Sequence, residues 1–442
     1  MNDLSIQLTP VEPLDSSGSI NLRIAIGETV LTRLVRGNSP NASYSLCCPS
    51  APLAFWFADN WWRHRWESKP VKLSAEWRMA HEMTAIGHGN AWPNVTLWGD
   101  RERVMLISKA DPPGIVGPVR FLTNAITYVP AAAFEVAIDS MLENARDIVP
   151  REQRNPLSAL LRALQDERAD QDIAAWRRLE AVNGYRPDEG PDDLIESLLA
   201  LEERFLPADV EEASAAGAGD ASAERLNAAL AAAEGGAEVD FTDALRMTGS
   251  HANVTERLEP WVTAEAAAQA LRNAMGQGVT PLRQKALSDL LGMSAKDLSG
   301  QTLSQAAPYA LRLAPEGKAQ TLLLTARRAH HRRFQAARAL GDAIWSGCSA
   351  LGAISTLGSA RQKFQRAFAA ALLCPTQGLL EFLDSTNPSD EDIAEAAHHF
   401  HVSEKTVRSV LVNKHIIERH RLGRPLIEPQ DPLPFDALAD AA

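Results

Sequence analysis

The sequence predicts an α+β protein with a small mixed N-terminal domain, a helical middle region and a C-terminal helical domain that contains a short sheet. Short alternating apolar runs, bounded by turn residues, occur in the first and last thirds of the chain. Apolar spacing at i, i+3 and i+4 dominates the middle. The 442 residues are enough for about two to four domains of ordinary size.

Composition excludes several classes of protein. Hydrophobic residues make up 45% and charged residues 23%, as in ordinary globular proteins. A net charge of −12 argues against nucleic-acid binding over the whole surface, but it does not exclude a local basic patch. No run of 18 apolar residues predicts a membrane span, and the N-terminus lacks the pattern of a signal peptide. Four cysteines without framework or CxxC spacing favour a reducing, cytoplasmic setting: Cys47, Cys48, Cys348 and Cys374.

The N-terminal domain is predicted to span 1–128. Its strands are expected in alternating runs at 4–10, 20–27, 94–99 and 103–109. Helical periodicity covers 52–67 and 74–87, and seven of the ten tryptophans lie between Trp56 and Trp98.

Two features of this domain have a structural and a functional interpretation. The tryptophans of 52–67 alternate with Arg63, His64 and Arg65, as in surfaces that stack nucleic-acid bases, but i, i+4 aromatic spacing favours core packing. His81 and Glu82 resemble the start of HExxH, yet Ala85 occupies the second histidine position. This mismatch favours surface or capping roles over a zinc site.

The middle region, 129–247, is predicted to be helical at 130–149, 173–182 and 192–205. The Ala/Gly-rich segment 211–238 is weakly patterned, which indicates a linker or a marginal helix near a domain boundary.

The C-terminal domain is predicted at 255–425. Two helices at 264–276 and 285–293 should precede a hairpin of strands within 309–326, joined by a PEGK turn. Further helices are expected at 330–346, 358–373, 375–384, 390–400 and 403–413. A proline-rich tail, 426–442, is predicted to be extended.

Three sequence blocks stand in the order and spacing of a known family: HHRRFQAARALGDAIW (330–345), QRAFAAALLCP (365–375) and DEDIAEAAHHFHVSEKTVRSVLVNKHII (390–417). Together they resemble the ImmA/IrrE family of metallopeptidase-like proteins, over about 160 residues from roughly 258 to 420. The resemblance implies a zincin-related domain with a helix carrying HELGH, a helix ending in FAAxLLxP and a segment containing FxVS.

The positions that carry the chemistry of that family are changed here. The resemblance places Arg338 at the first histidine, Ala339 at the glutamate and Asp342 at the second histidine, and no carboxylate precedes the FAA segment. A zinc site needs two ligands at i and i+4 and a base at i+1. We therefore predict no metal, no cofactor and no catalytic residue on this helix. The rival hypothesis is an active zinc metallopeptidase with rearranged ligands, in which Asp342 acts with His330, His331 or His398.

The same region is strongly basic. Segment 321–366 has one acidic residue, Asp342, and eight basic ones: Arg327, Arg328, Arg332, Arg333, Arg338, Arg361, Lys363 and Arg366. Such a cationic lining repels Zn²⁺ and suits phosphate, a nucleic-acid backbone or an acidic protein segment. Alternatively, these arginines form a solvated basic helix face and pair with the acidic helical region at 190–212.

The sequence pattern of residues 390–413 predicts a helix-turn-helix. Ser403 is the predicted N-cap of the second helix, and Lys405, Arg408 and Ser409 are its candidate DNA-contacting residues. His401 stands where the tight turn favours glycine. Motifs for a P-loop, a GxSxG elbow and a GxGxxG dinucleotide site do not occur.

The sequence therefore favours a non-catalytic regulatory or scaffold protein on a degenerate metallopeptidase fold. Its expected partner is a protein bound through the basic groove, with nucleic acid as the alternative. In the resembled family such domains often belong to regulators of mobile elements and of stress or phage responses, so this setting is expected here. A DNA-binding transcriptional regulator that uses 390–413 is the remaining alternative.

Overall fold

The structure of the protein, a computed structural model, describes residues 3–11, 18–37, 39, 41–114, 117–217, 219, 221–248, 259–300, 307–347, 349–385 and 387–422. Its fold mixes helices with small antiparallel sheets, as the sequence predicts. The predicted tail at 426–442 and Cys348 lie outside the described residues.

The chain forms two compact units rather than three regions. The N-terminal unit comprises Met1–Leu199 and Ala218–Asp220, and the C-terminal unit comprises Ala200–Gly217 and Ala221–Ala442. The predicted helical middle, 129–247, is thus shared between them. Among the described residues, no helix is long and apolar enough to cross a lipid bilayer.

The N-terminal unit begins with strands and ends with helices. The strands are β1 (Leu4–Pro10), β2 (Ser19–Ile26), β3 (Thr29–Val30), β4 (Leu34–Arg36), β5 (Ala42–Ser43), β6 (Leu46–Pro49), β7 (Val95–Gly99), β8 (Arg103–Ser108), β9 (Val119–Phe121) and β10 (Ala125–Pro130). The helices are α1 (Ser50–Asp59), α2 (Trp61–Trp66), α3 (Ala75–His81), α4 (Ala131–Ile148), α5 (Arg151–Ala169), α6 (Gln171–Val182) and α7 (Asp192–Glu202), whose end crosses the unit boundary.

Three small antiparallel sheets organise this unit. Strand β2 pairs with β1 along one edge and with β3 and β6 along the other. The second sheet has the order β10-β8-β7 and the third the order β5-β4-β9. All four strands predicted from alternation, β1, β2, β7 and β8, are confirmed to within a residue or so.

The tryptophans of α1 and α2 pack inward. Trp56, Trp61 and Trp62 are buried in a core that also holds Ile20 and Phe134. This confirms the core interpretation of the aromatic stripe. The predicted single helix is broken at Asn60, whose backbone leaves the helical region (φ −105°, ψ 12°).

His81 closes α3 and is fully buried, which corrects the expected surface or capping role. Its Nδ1 lies 2.7 Å from the Leu97 carbonyl oxygen and its Nε2 lies 2.8 Å from Oε2 of Glu67. Helix α3 is shorter than the predicted 74–87, because the backbone of Glu82 is extended (φ −102°, ψ 119°) and ends it at His81. A 3-10 turn, Met83–Ile86, follows and stops at Gly87, which has a positive φ, so no helix reaches His88, as predicted. The HExxH-like stretch therefore contributes one histidine, which is hydrogen-bonded to a buried carboxylate.

The C-terminal unit is mainly helical around one four-stranded sheet. Its helices are α8 (Pro207–Gly217), α9 (Ser222–Glu234), α10 (Thr242–Thr248), α11 (Pro260–Ala274), α12 (Gln284–Leu290), α13 (Ala295–Ser299), α14 (Ala329–Ser346), α15 (Ala360–Leu373), α16 (Thr376–Leu383), α17 (Asp390–Phe400) and α18 (Glu404–Asn413). The strands are β11 (Ala237–Val239), β12 (Ala310–Leu313), β13 (Gln320–Leu323) and β14 (Leu351–Ile354), in the order β11-β13-β12-β14 with antiparallel pairing throughout.

Strands β12 and β13 form the predicted hairpin, which precedes α14 as expected. Helices α14 to α18 also fall within a few residues of their predicted bounds. Of the two interpretations of segment 211–238, a linker or a marginal helix, the structure shows the helix, because most of the segment lies in α8 and α9. Ala213, Ala229 and Ala233 are completely buried there, so small side chains pack closely where the sequence shows little contrast between faces.

Candidate functional site

Helix α14 carries the three positions that correspond to metal ligands and base in the resembled family. Arg338, Ala339 and Asp342 are all buried. Small residues make this possible, because Gly341 lets Phe368 of α15 approach so closely that a Cβ there would lie 3.0 Å from its ring. Because neighbouring elements contact α14 on several sides, most of its residues from Arg332 to Ile344 are buried.

Asp342 is enclosed by cations and an amide. Its Oδ1 accepts hydrogen bonds from Arg361 Nε at 2.6 Å and Gln365 Nε2 at 2.7 Å. Its Oδ2 accepts from Arg361 Nη2 at 3.0 Å and from Arg312 Nη2 at 3.1 Å. Burial alone would raise the pKa of Asp342, but Arg361 and Arg312 outweigh it and hold the pKa below its usual value. Both carboxylate oxygens are thus committed to protein donors.

Arg361 extends this network to the acidic helix α8. Its Nη1 donates to Oδ1 of Asp209 at 2.6 Å, and nearby Ser359 donates to Glu212. Burial would lower the pKa of Arg361, but Asp342 and Asp209 raise it overall. For this arginine, the predicted pairing with the acidic helices at 190–212 is present.

Arg338 lies one helical turn before Asp342 and has different partners. Its Nη2 donates to the Ser355 carbonyl oxygen at 2.6 Å and to the side-chain oxygens of Gln362 and Gln365. Its Nε is buried without an acceptor among the described residues. Burial and the neighbouring charge of Arg366 hold the pKa of Arg338 well below its usual value.

Arg332 and Arg333 are also buried, and they bind backbone. Arg332 donates to the carbonyl oxygens of Asp297, Leu298, Leu324 and Ala326, which joins α13 to the end of the hairpin. Arg333 donates to Gln284 and to the carbonyl oxygen of Leu282, and burial lowers its pKa to about 10. Both arginines are therefore structural rather than parts of the predicted binding groove, because their donors face inward.

The other five basic residues lie in different environments. Arg361 belongs to the buried network, and Arg327 and Arg328 are exposed at the start of α14. Lys363 and Arg366 both line a cleft of the C-terminal unit. The eight residues predicted as one basic groove thus occupy three different environments.

The cleft lies among α11, α14, α15, α18 and the residues that follow α18. Its volume is about 1190 Å³. Apolar side chains form part of its lining, including Phe334, Ala367, Ala370, Val410 and Ile416. Basic side chains also line it: Lys363, Arg366, Lys405, Lys414 and Arg419. Of its acidic residues, Glu265 pairs with Lys414 at 2.8 Å and Glu418 pairs with His420 at 3.0 Å.

The rearranged metal site is not assembled. His330 and His331 line the cleft, whereas Asp342 is buried in its arginine cage and His398 is exposed on α17. Within the described ranges, no three His, Cys, Asp or Glu side chains gather as a metal site requires.

The predicted helix-turn-helix is present as α17 and α18. His401 adopts the left-handed conformation (φ 54°, ψ 42°) expected at the tight turn, and Ser403 caps α18. Arg408 is occupied by carboxylates, with Asp390 at 3.0 Å and Glu404 at 3.6 Å. Lys405 and Ser409 line the cleft. The three candidate DNA-contacting residues of α18 therefore lie in two environments, because Arg408 contacts carboxylates instead.

Three site residues were missed in the sequence. Arg312 is the one charged residue of its apolar strand, and this isolation was the available signal of a buried partner. Gln362 and Gln365 lie three residues apart on α15, where both amides reach the pair Arg338 and Asp342. Glutamine side chains are uncharged and are not typical metal ligands, so neither charge counting nor a ligand pattern identifies them.

No family model, curated protein or solved structure matches the chain.

Proposed function

We propose that this chain is a non-catalytic binding protein whose C-terminal unit has an ImmA/IrrE-like, metallopeptidase-related architecture. Its cleft binds an acidic, partly apolar segment of a partner protein. The resemblance of blocks 330–345, 365–375 and 390–417 supports the architecture. The resemblance also supports the biological setting, a regulator or scaffold in a mobile-element, stress or phage-defence system.

The observation that carries the non-catalytic part is the state of Asp342. It is the one acidic residue left at the degenerate positions, and both its oxygens already accept hydrogen bonds from Arg361, Arg312 and Gln365. A metal ligand must offer a free lone pair, and a general base must reach its substrate. Ala339, at the position of the base, has no titratable group.

The chemistry of the cleft supports a peptide ligand. Its volume of about 1190 Å³ exceeds the usual range of small-molecule pockets, roughly 300–1,000 Å³. Apolar lining stabilises side chains of an extended segment, and lysines and arginines complement carboxylates. Asp390 and Glu404 beside Arg408 disfavour a DNA backbone at the neighbouring face of α18.

Metal analysis tests the catalytic alternative. We expect protein purified without chelator to contain no stoichiometric zinc and to cleave no peptide of a degenerate library. Stoichiometric zinc that is lost in Asp342→Ala, together with cleavage that is lost in the same variant, overturns the non-catalytic proposal.

A displayed random-peptide library tests the binding function. We expect selection on the full chain to enrich acidic peptides with apolar positions, and Lys405→Glu to weaken their binding at least about 10-fold. Lys296→Glu, an exposed lysine on α13 outside the cleft, should leave the affinity unchanged. If duplex DNA binds instead, with steep salt dependence and loss in Lys405→Glu, the partner is nucleic acid.

A further inference from the structure

The tail, 426–442, has the composition that the proposed function assigns to a ligand of the cleft. It contains no basic residue and four acidic ones: Glu428, Asp431, Asp436 and Asp440. Large apolar residues are interspersed with these carboxylates: Leu426, Ile427, Leu433, Phe435 and Leu438. The tail lies outside the described residues, but its sequence is that of an acidic, partly apolar segment.

The lining of the cleft complements this composition. Its basic residues number five and its acidic residues two, Glu265 and Glu418, so the lining has an excess of positive charge that favours an acidic segment. Lys405 is exposed on α18. Apolar side chains are also open to a ligand there, because Val262 is 42% exposed and Phe334 is only partly buried. The cleft can therefore stabilise both kinds of side chain that the tail contains.

The chain leads from the cleft into the tail. Residues 415–419 line the cleft, and six residues separate Arg419 from Leu426. Each residue of an extended chain spans up to about 3.3–3.6 Å, so the acidic positions of the tail are within reach of the lining. A segment tethered so closely has an effective concentration on the order of millimolar. Even a modest affinity is therefore enough for the tail to occupy the cleft.

Proline lowers the cost of binding such a segment. The tail contains three prolines: Pro429, Pro432 and Pro434. The pyrrolidine ring fixes φ, so less backbone entropy is lost when the segment binds.

We infer that the tail binds the cleft of its own chain and competes there with the partner segment. The inference rests on the proposed function and deepens it, because it adds a means of regulating the same site. A partner segment then binds only when its own affinity and concentration exceed those of the tethered tail. A second copy of the chain carries the same tail, but at micromolar protein its concentration is about a thousandfold below the tethered one.

Cross-linking of the full chain tests the position of the tail. A zero-length carbodiimide reagent joins a lysine amine to a carboxylate that contacts it, and mass spectrometry of the digested protein identifies the pair. We expect links between Lys405 and carboxylates of the tail. Lys285 and Lys296, exposed lysines of the same unit outside the cleft, are the controls.

Three results of the cross-linking would overturn the inference. One is the absence of links from Lys405 to the tail, and another is an equal yield of links to Lys285 and Lys296. The third concerns a mixture of protein labelled with nitrogen-15 and unlabelled protein, which separates links within one chain from links between two. Links that form mainly between chains would assign the cleft to the tail of a second copy.

Competition measures how far the tail occupies the cleft. The probe is a fluorescent peptide with the sequence 426–442, and its binding to the full chain is followed by anisotropy. The neutral-tail variant carries four substitutions: Glu428→Gln, Asp431→Asn, Asp436→Asn and Asp440→Asn. We expect this variant to bind the probe at least about 10-fold more tightly than the wild type, because its own tail competes less well.

A matched variant controls for the change in net charge. It neutralises four exposed glutamates that do not line the cleft: Glu234→Gln, Glu238→Gln, Glu316→Gln and Glu395→Gln. We expect this control to bind the probe with the affinity of the wild type. Lys405→Glu, added to the neutral-tail variant, should weaken the probe again, because the probe then meets a negative charge in the cleft.

Equal affinity of the probe for the wild type and the neutral-tail variant overturns the inference, and so does the absence of binding to both. An affinity that Lys405→Glu leaves unchanged overturns it as well, because the probe then binds elsewhere. Failure of the proposed function gives a different result. Acidic library peptides that bind the neutral-tail variant and lose affinity in Lys405→Glu would support the proposed function even if the tail peptide does not bind.

Discussion

Each unit contains a buried carboxylate that accepts hydrogen bonds from two basic side chains, and a third basic side chain lies nearby. In the N-terminal unit, Glu67 accepts hydrogen bonds from Arg63 at 2.6 Å and His81 at 2.8 Å, and His64 lies next to His81. In the C-terminal unit, Asp342 binds Arg361 and Arg312, and Arg338 lies one turn away.

The third basic side chain, His64 in the N-terminal unit and Arg338 in the C-terminal unit, differs in whether it can lose its charge. Burial and the charge of His81 hold the pKa of His64 well below its usual value, so His64 stays neutral and its Nε2 donates to the Ala80 carbonyl oxygen. Arg338 has no such escape, because a guanidinium does not release its proton. Titratability thus distinguishes His64, which stays neutral, from Arg338, whose guanidinium is held by the Ser355 carbonyl group and two glutamine amides.

The largest effect is expected for Asp342→Asn. Removing this carboxylate leaves Arg312 without an anionic partner in the described structure and Arg361 with Asp209 alone. Breaking a buried ion pair in this way costs roughly 3–5 kcal/mol of unfolding free energy. Urea unfolding measures it. Asp243→Asn, which removes an exposed pair with Arg246, should cost less than about 1 kcal/mol. Similar costs for both variants would contradict the assigned network.

A smaller effect is expected for Glu67→Gln. Arg63 loses its carboxylate partner here too, but the second partner of Glu67 is the imidazole of His81, which also bonds the Leu97 carbonyl group, whereas Asp342 binds two guanidinium groups. We expect a loss of about 2–3 kcal/mol at neutral pH, measured by the same urea titration. Glu82→Gln, in a partly exposed pair with Arg78, is the matched control. A larger loss of unfolding free energy in Glu67→Gln than in Asp342→Asn would contradict the expected difference between the two centres.

The smallest effect is a pH dependence in the N-terminal unit. Unfolded His64 takes up a proton near pH 6.5, but folded His64 does so only at much lower pH. Stability should therefore be constant above about pH 6.5 and fall as the pH decreases below it, by up to about 1.4 kcal/mol per pH unit. Tryptophan fluorescence reports this unit well, since seven of ten tryptophans lie between Trp56 and Trp98. In His64→Gln the slope should flatten, and an unchanged slope would assign the dependence to other groups.

Periodicity predicted much of the fold because elements with one solvent face leave a clear pattern. The hairpin β12–β13 and helices α15 to α18 follow it to within a few residues. It failed at α5, which went unpredicted, and at α8 and α9, where buried alanines leave no contrast between the faces. Strands β11 and β14 were too short to show alternation.

The candidate site was predictable by residue type but not by environment. The sequence identified Arg338 and Asp342 as altered positions and counted the surrounding basic residues. Charge counting treated Arg332, Arg333 and Lys363 alike, although two bind backbone carbonyls and the third lines the cleft. Only three-dimensional proximity distinguishes these environments, because several of the acceptors, at 282–284 and 297–298, lie 34 to 51 residues earlier in the chain.

Gly352 should slow the hydrogen exchange of strand β14. It belongs to β14, an edge strand of its sheet, and any side chain at this position would collide with Asp342. Edge strands ordinarily fray first, so their amide hydrogens exchange rapidly with deuterium. Here the strand cannot separate without disturbing the buried carboxylate and its two arginines. The amides of Leu351–Ile354 that bond to β12 should therefore exchange as slowly as those of a central strand, at a rate set by opening of the charge network.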